Sequence, residues 1–343
     1  MMSSRSQSVA ALGPAPTNLD VERLSGHHLT MLRIRAFEEA AIRGLQDKVV
    51  FGAIHPSIGQ EAVAAGVCGH LRRDDVLLST HRGHGHTLAK GADLNAMMRE
   101  LFGREGGTSN GKGGSMHIAD FSVGMLGANG VVSANIVIAA GAAHALKLQG
   151  RDAIVCCIFG DGAINRGPFL EGLNWAKVFD LPVLFVCEDN GFAATTRTRT
   201  MTAGEGPSAR ARSLGIPSVE IDGNDVLAVD EAARDLVPAV RGGAGPRFLH
   251  AHTYRLTGHT SMDAAAYRPK EEVEARWRLD PIARVEELLR QAGLSEGAIE
   301  AQRRAANAEL ERAYADALAA PLPDNARAFA DVQDVGDPRG EAF

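Results

Sequence analysis

The chain has 343 residues and 45% of them are hydrophobic, so it can bury a sizeable core as one large domain or two smaller ones. A net charge of −6 and an isoelectric point near 6.1 argue against a nucleic-acid-binding protein. No apolar run reaches transmembrane length, and residues 1–18 lack the apolar core of a signal peptide. The four cysteines fall in predicted buried elements, which is typical of reduced core thiols. We therefore expect a cytoplasmic protein with a flexible N-terminal arm over residues 1–18.

The first predicted elements are two helices joined by a turn that carries a histidine. Apolar residues recur at helical spacing over residues 19–48, with Thr17 or Asn18 as the cap. A turn rich in proline and glycine follows and contains His55, and a second helix is predicted over residues 60–70. A histidine in such a turn can face a cleft or bond to the backbone, and the sequence favours neither.

A histidine-rich segment follows the first predicted strand, residues 75–79. The segment reads Thr80-His81-Arg82-Gly83-His84-Gly85-His86 and leads into a helix. Alternate residues share a face only in a strand, and these are interleaved with glycines, so a zinc site is the minor alternative. Arg82 lies between a strand end and a helix start, where a guanidinium suits an anion.

The next segments are rich in glycine and alanine. Residues 103–114 form a glycine-rich loop without P-loop spacing, and it can be either a flexible surface loop or a functional lid. Gly130 and Val132 lie in a turn before a predicted helix over residues 134–149. The small residues of that helix allow another helix to approach closely, either within the chain or at a subunit interface.

The most informative stretch is a βαβ unit over residues 153–190. It comprises a buried strand over residues 153–159, a helix over residues 168–179 and a second buried strand over residues 182–187. Asp161 and Asn190 each follow one of the strands, 29 residues apart. The carboxyl ends of neighbouring parallel strands bind ligands in open α/β sheets, so we expect these two side chains to lie close together.

A carboxylate and an amide are oxygen donors that suit Mg²⁺, which commonly shares its sites with phosphate oxygens. Gly162 allows the backbone to approach a phosphate at the start of the following helix. The alternative is a tight βα turn in which Asp161 only caps the helix. The second polar turn at Asn190 favours a metal–diphosphate site.

The remainder continues the α/β pattern and then becomes helical. Residues 193–212 show no clear period and are predicted to be irregular. His259 lies in a long connection after the last predicted strand and is a candidate to face the cleft. The predicted strands span residues 217–221 and 246–254, and the predicted helices span residues 225–241, 280–291 and 298–319. Residues 323–343 are a polar tail.

Several stretches, in order, resemble the alpha subunit of heteromeric thiamine diphosphate-dependent 2-oxo acid dehydrogenases, between about residues 20 and 320. The matching motifs are His55 with Gly59-Gln60-Glu61-Ala62, His81-Arg82, Gly111-Lys112-Gly113-Gly114-Ser115-Met116-His117, Gly130-Val131-Val132, Gly160-Asp161-Gly162-Ala163, Glu188-Asp189-Asn190 and Gly258-His259. Asp189 departs from the family, in which many members carry Asn at this position. Residues 79–86 most resemble acetoin dehydrogenase alpha subunits, since pyruvate-type chains more often have Tyr at the position of His81.

The resemblance implies an α/β thiamine diphosphate-binding fold, with a mostly parallel central sheet, helices on both faces and a C-terminal helical extension, over residues 19–322. It implies Mg²⁺ ligands from Asp161, Asn190 and the Phe192 carbonyl. The residues implied to approach the diphosphate are His81, Arg82, Gly162, Ala163 and His259. Gly130 and Val132 would meet the aminopyrimidine through their backbones, and His55 and His259 are the catalytic candidates. Thr260-Ser261-Met262-Asp263-Ala264 departs from the pattern of the loop that is phosphorylated in some relatives.

The implied function is cleavage of acetoin, or decarboxylation of a 2-oxo acid such as pyruvate, with acyl transfer to lipoamide on a partner acyltransferase. The family places the activating glutamate on a beta subunit, so Glu61 is not that residue and an α₂β₂ heterotetramer is expected. A branched-chain 2-oxo acid dehydrogenase alpha subunit and a non-catalytic scaffold are the alternatives. A nucleotide-binding dehydrogenase is disfavoured because Gly160-Asp161-Gly162 continues into Ala163-Ile164-Asn165, which breaks the glycine pattern.

Overall fold

The computed structural model describes residues 19–330. The predicted N-terminal arm and the last part of the polar tail lie outside these residues, and the division into an arm, a domain over residues 19–322 and a tail stays a prediction. No helix within residues 19–330 combines the length and the hydropathy that crossing a bilayer requires.

The centre of the fold is a six-stranded parallel sheet with the strand order β2-β1-β3-β4-β8-β7. Its strands are β1 (Val76–Thr80), β2 (Met125–Asn129), β3 (Val155–Gly160), β4 (Val183–Asp189), β7 (Ser218–Asp222) and β8 (Arg247–His252). A separate antiparallel pair consists of β5 (Phe192–Ala193) and β6 (Thr196–Arg197). Strand order reverses direction between β1 and β3, and such a switch point is where open α/β sheets bind ligands.

Helices cover both faces of this sheet. They are α1 (Val21–Gln46), α2 (Glu61–Cys68), α3 (His84–Ala89), α4 (Leu94–Leu101), α5 (Ala134–Leu148), α6 (Gly167–Val178), α7 (Pro207–Ser213), α8 (Val226–Arg241), α9 (Lys270–Trp277), α10 (Pro281–Gln291) and α11 (Glu296–Ala319). The α/β class, the parallel sheet and the C-terminal helices agree with the sequence prediction.

The alternation of side chains along β3 and β4 divides the core into two parts. Cys156, Ile158 and Val186 lie in a cluster with residues of α1, α2, α4 and α8 on one face. Cys157 and Phe185 lie in a cluster with residues of α5, α6 and α7 on the other face. Because both faces are buried, these strands are continuous apolar runs, which is the pattern that predicted them.

Three regions of the chain differ from the sequence prediction. The irregular segment predicted over residues 193–212 contains β5, β6 and the short helix α7. Strand β2 was not predicted, since Gly127 and Asn129 weaken its strand pattern. Helix α1 begins at Val21 and is capped by the Asp20 carboxylate, which accepts from the Arg23 N–H, so Thr17 and Asn18 are not its cap.

A buried ion cluster ties the C-terminal helices to the sheet domain. Arg35 of α1 donates to Glu61 at the start of α2 (2.5 Å) and to Asp280 at the start of α10 (2.9 and 3.0 Å). The Glu61 carboxylate also accepts from the backbone N–H of Gly59. Arg35 therefore joins three helices, and its pairing with Glu61 gives Glu61 a role beyond the favourable interaction with a helix N-terminus that its position suggests.

Two helical glycines offer a matched test of the packing between α5 and α6. A Cβ on Gly172 would lie 2.8 Å from both the Ile136 carbonyl oxygen and its Cγ2, whereas a Cβ on Gly141 would meet nothing within 4 Å. We expect Gly172→Ala to lower the free energy of unfolding by about 1–3 kcal/mol through overpacking. Gly141→Ala should raise it by up to ~1 kcal/mol through helix propensity. Urea unfolding of both variants measures the difference, and equal values would contradict the close α5–α6 contact.

Candidate active site

The carboxyl ends of five sheet strands and the turn after α1 surround one cavity of about 400 Å³. Every residue that the sequence singled out for cofactor, metal or catalysis lines it. These residues are His55, His81, Arg82, Gly130, Val132, Asp161, Gly162, Ala163, Asn190, Phe192 and His259. They come from separate parts of the chain, and the parallel topology places them on the same edge of the sheet. Their individual roles stay predictions.

Asp161 begins a tight 3₁₀ turn after β3 and is 2% exposed. Its Oδ2 is buried and has no hydrogen-bond partner within the described residues. Burial and the nearby Asp189 carboxylate raise the pKa of Asp161 to about 7. A buried carboxylate oxygen without a partner, in repulsive contact with a second acid, is a position that a cation would stabilise.

Asn190 is held by two hydrogen bonds at the end of β4. Its amide Nδ2 donates to Gln60 Oε1 at 3.3 Å, and its Oδ1 accepts from the Phe192 N–H at 3.1 Å. Gln60 also donates to Glu188 at 3.5 Å, and Glu188 is hydrogen-bonded to His86 at 3.1 Å. This buried chain fixes the orientation of the Asn190 amide, and the sequence signal did not identify the part of Glu188 and His86 in it.

Three histidine rings form one wall of the cavity. The ring centroids of His55 lie 4.6 Å from His81 and 4.9 Å from His259. Burial, and then the charge of Arg82, lower the pKa of His55 and of His259 to about 4 and that of His81 to about 2. The rings are therefore neutral near pH 7. The Nδ1 of His55 is buried and has no hydrogen-bond partner in the described part of the chain.

Two buried guanidiniums lie beside these histidines. Arg82 donates to the Pro56 carbonyl at 2.7 Å, and Arg255 donates to the Tyr267 hydroxyl at 2.9 Å. Both contact His259 Nδ1, at 3.2 and 3.3 Å. No carboxylate within residues 19–330 forms an ion pair with either, and burial together with Arg255 lowers the pKa of Arg82 to about 9. Two unneutralised cations make an anion site, and Arg255 was missed because its strand-end position carries no motif.

The other two histidines of the segment 81–86 point away from the cavity wall. His84 bonds to the Glu38 carboxylate at 2.9 Å and to the Ser115 hydroxyl at 2.9 Å, and both His84 and Glu38 are fully buried. His86 bonds to Ser79 and Glu188. His81, His84 and His86 therefore do not converge on one point.

The glycine-rich loop is built around a buried acid. The Glu100 carboxylate accepts from the backbone N–H groups of Ser109, Gly111, Gly113 and Gly114 at 2.7–3.1 Å. Of the two alternatives for this loop, a flexible surface segment is therefore disfavoured, since four hydrogen bonds to a buried carboxylate hold it in place. Met116, just after the loop, lines the cavity.

The residues present fit both a divalent cation and a diphosphate. The partnerless oxygen of Asp161 and the amide oxygen of Asn190 are hard donors, as Mg²⁺ requires. Arg82 and Arg255 supply positive charge for an anion. Gly162 lines the same cavity, and a Cβ there would lie 2.8 Å from the Ala193 Cβ, so the turn tolerates no side chain at this position.

Comparison with known proteins gives a consistent result. The family model described as "Dehydrogenase E1 component" matches residues 29–325. The alpha subunit of acetoin:2,6-dichlorophenolindophenol oxidoreductase from Bacillus subtilis is 45% identical over 74% of this chain and 77% of that relative. The subunit of the same name from Cupriavidus necator is 41% identical over 97% of this chain and 99% of its own length. The pyruvate dehydrogenase E1 component subunit alpha of Rhizobium meliloti is 38% identical over 88% and 87%.

The structure is an α/β fold with a cavity at the switch point of its sheet, and an acid and two guanidiniums line that cavity. This arrangement is typical of enzymes that bind a charged cofactor. The chain belongs to the dehydrogenase E1 component family, whose members are oxidoreductases. Membership implies thiamine diphosphate as the cofactor. The branched-chain enzyme and the non-catalytic scaffold are not favoured by these relatives.

The depressed pKa of His55 has a consequence for stability. An unfolded histidine takes up its proton near pH 6.5, whereas the native ring resists protonation until about pH 4. The unfolded state therefore binds more protons in this window, so His55 makes the protein less stable as pH falls through it. We expect the urea midpoint of the wild type to fall more steeply between pH 7.5 and about pH 5 than that of His55→Gln. His117→Gln, at an exposed position, is the control, and equal slopes for wild type and His55→Gln would contradict the prediction.

Proposed function

We propose that this chain is the alpha subunit of a thiamine diphosphate- and Mg²⁺-dependent dehydrogenase that cleaves acetoin, or decarboxylates pyruvate, and passes the acyl group to lipoamide. The observation that carries the proposal is the opposition of charges in the cavity. Within residues 19–330, Asp161 has a buried carboxylate oxygen with no hydrogen-bond partner, and Arg82 and Arg255, which line the same cavity, form no ion pair with a carboxylate. The names of the acetoin oxidoreductase relatives support acetoin, as does His81 in the segment that resembles acetoin-type chains.

The chain's own residues supply binding and proton handling. Asp161, Asn190 and the Phe192 carbonyl would hold Mg²⁺, while Arg82, His81 and His259 would hold the diphosphate, and the backbones of Gly130 and Val132 would meet the aminopyrimidine. When bound, the cofactor supplies a carbon nucleophile and an electron sink. His55 is neutral near pH 7 because burial lowers its pKa, so its partnerless Nδ1 can accept a proton from a donor in the cavity.

A beta subunit is needed to complete the site in this proposal, because the activating glutamate is expected there. Glu61 is unsuited to that task, since it is fully buried and paired with Arg35. The relatives are named as alpha subunits, which supports a partner chain. An exposed apolar surface on α5 and α6 also supports one, and it includes Ile138, Leu148, Trp175 and Val178. The lipoyl-bearing acyltransferase follows as the acceptor of the acyl group.

The proposal is tested by calorimetry and by dye reduction on the complex of this chain with its beta partner. Thiamine diphosphate should bind only with Mg²⁺ present, and Asp161→Ala should weaken binding at least tenfold because a metal ligand is lost. Reduction of 2,6-dichlorophenolindophenol should be fastest with acetoin in a panel that includes pyruvate and branched-chain 2-oxo acids. Binding that ignores Mg²⁺ and Asp161 would refute the site, and a preference for branched-chain substrates would refute the assigned substrate.

A substitution at His55 should separate the effect on catalysis from the effect on cofactor binding. We expect His55→Ala to leave the Kd for thiamine diphosphate nearly unchanged, because His55 is not among the residues expected to hold Mg²⁺ or the diphosphate. The rate of acyl transfer should fall about a hundredfold, the lower range for loss of a general acid–base group. Phe51→Ala is the matched control, since Phe51 lies in the same turn and is 80% exposed. Equal losses in binding and rate would show that His55 only shapes the cavity.

A further inference from the structure

A second cluster of metal-ligand side chains lies at the ends of β4, β7 and β8. His250 and His252 are two residues apart on β8, so they share one face of the sheet. The parallel register pairs Asp189 of β4 with His252 and Glu220 of β7 with His250. Register partners on neighbouring strands also share a face, so the topology gathers two imidazoles between two carboxylates.

The distances suit a small cation on one side of the imidazole pair. Asp189 Oδ2 lies 2.9 Å from His250 Nε2 and 3.9 Å from His252 Nδ1, and one ligand atom from each of these residues lies within 4.8 Å of the others. Donors bound to one tetrahedral ion at 2.0–2.2 Å lie roughly 3.3–3.6 Å apart, so small rotations of these side chains would bring them to coordination distance. The two ring centroids lie 4.1 Å apart, and the ring planes are tilted by 45° to each other.

The opposite ring nitrogens already have oxygen partners. Glu220 Oε2 lies 3.6 Å from His250 Nδ1 and 3.5 Å from His252 Nε2. The Ser208 hydroxyl lies 3.1 Å from His250 Nδ1. Metal-binding histidines usually donate their second N–H to a carboxylate or another oxygen, which fixes the tautomer and aims the free nitrogen at the ion. Ser208 occupies that supporting position for His250, and Glu220 occupies it for His252 and lies close to His250 as well.

Accessibility differs among the four residues in the way a binding site requires. His250 is buried and fixed, whereas the side chain of His252 is 53% exposed and that of Glu220 is 44% exposed, so an ion can enter from solvent. The described lining of the cofactor cavity does not include these residues. The cluster therefore adjoins that cavity through the neighbours Asp189 and Asn190 but is separate from it.

We propose that Asp189, His250 and His252 bind a divalent transition-metal ion of the Zn²⁺ type, with Glu220 and Ser208 orienting the imidazoles. Two nitrogen donors and one carboxylate suit Zn²⁺ better than Mg²⁺ or Ca²⁺, which prefer oxygen. The ion ties β4 to β8 immediately before the turn that carries Asn190. This function is independent of the activity assigned to the cavity.

The test uses the full chain, stripped of metal with a chelator and then supplied with excess Mg²⁺ and thiamine diphosphate to occupy the cofactor cavity. Zn²⁺ is titrated by calorimetry, and Co²⁺ is used as an optical probe because its visible absorption reports nitrogen and oxygen coordination. We expect one Zn²⁺ per chain. His252→Ala should weaken binding at least tenfold, and it should also remove the Co²⁺ bands. Because the His252 side chain is exposed, we expect His252→Ala to fold normally. Its melting temperature should therefore equal that of the wild type.

Two further variants make the result specific. Glu220→Gln should weaken Zn²⁺ binding about tenfold while leaving stoichiometry unchanged, as expected for loss of a supporting carboxylate. His55→Ala is the matched control, because His55, His81 and His259 form another group of three histidines that could hold a metal ion, and it should leave the affinity unchanged.

No Zn²⁺ binding by the wild type, or equal affinity for the wild type and His252→Ala, overturns the proposal. Loss of binding in His55→Ala alone would assign the ion to the cofactor cavity instead. Mg²⁺-dependent binding of thiamine diphosphate is measured in a separate titration. Failure of the Zn²⁺ site can therefore be distinguished from failure of the proposed cofactor site.

Discussion

The cavity depends on a pair of carboxylates that the parallel sheet brings together, Asp161 in its lining and Asp189 just outside it. Asp161 follows β3 and Asp189 ends β4, and these strands are hydrogen-bonded neighbours with their carboxyl ends in register. Burial and Asp189 raise the pKa of Asp161 to about 7. Burial would also raise the pKa of Asp189, but its hydrogen bond and charge interaction with His250 outweigh burial, and its pKa is lowered. The negative charge thus resides more readily on Asp189, and Asp161 keeps a buried oxygen that has no hydrogen-bond partner within residues 19–330.

The part of the cavity wall formed by Arg82, Arg255 and the three histidines carries an excess of positive charge. Arg82 and Arg255 are buried beside three histidines, and their hydrogen bonds go to carbonyls, a hydroxyl and His259 rather than to carboxylates. Burial, and then the charge of these guanidiniums, lower the pKa of the three histidines, since protonating any ring would add a third cation to the same buried region. A cavity lined by a buried acid and by two guanidiniums is matched to a ligand that brings both a metal ion and an anion.

Buried acids outside the cavity hold the elements that shape it. Glu100 gathers the backbone N–H groups of the glycine-rich loop, and Glu38 joins the turn of His55 to helix α3 through Ser57 and His84. Glu61 and Asp280 share Arg35 and so attach the C-terminal helices to the sheet domain. Removing one partner from such a pair leaves a buried charge unsatisfied, which costs far more than an exposed ion pair contributes. The elements around the cavity are therefore held in place by buried acids that do not line the cavity themselves.

Local sequence determined the βαβ unit, the pair Asp161 and Asn190, and the family, because strand and helix periods and the spacing of polar residues after strands are properties of short segments. Every candidate residue that it singled out lines the cavity, and the role of each stays a prediction. Only the tertiary structure decided which acids face each other, that Arg255 joins Arg82, and that His250 and His252 meet Asp189 and Glu220. Those contacts depend on strand order and register across distant parts of the chain, which no local pattern encodes. Weak strands such as β2 were hidden for the same reason, since their stability comes from neighbours in the sheet rather than from their own residues.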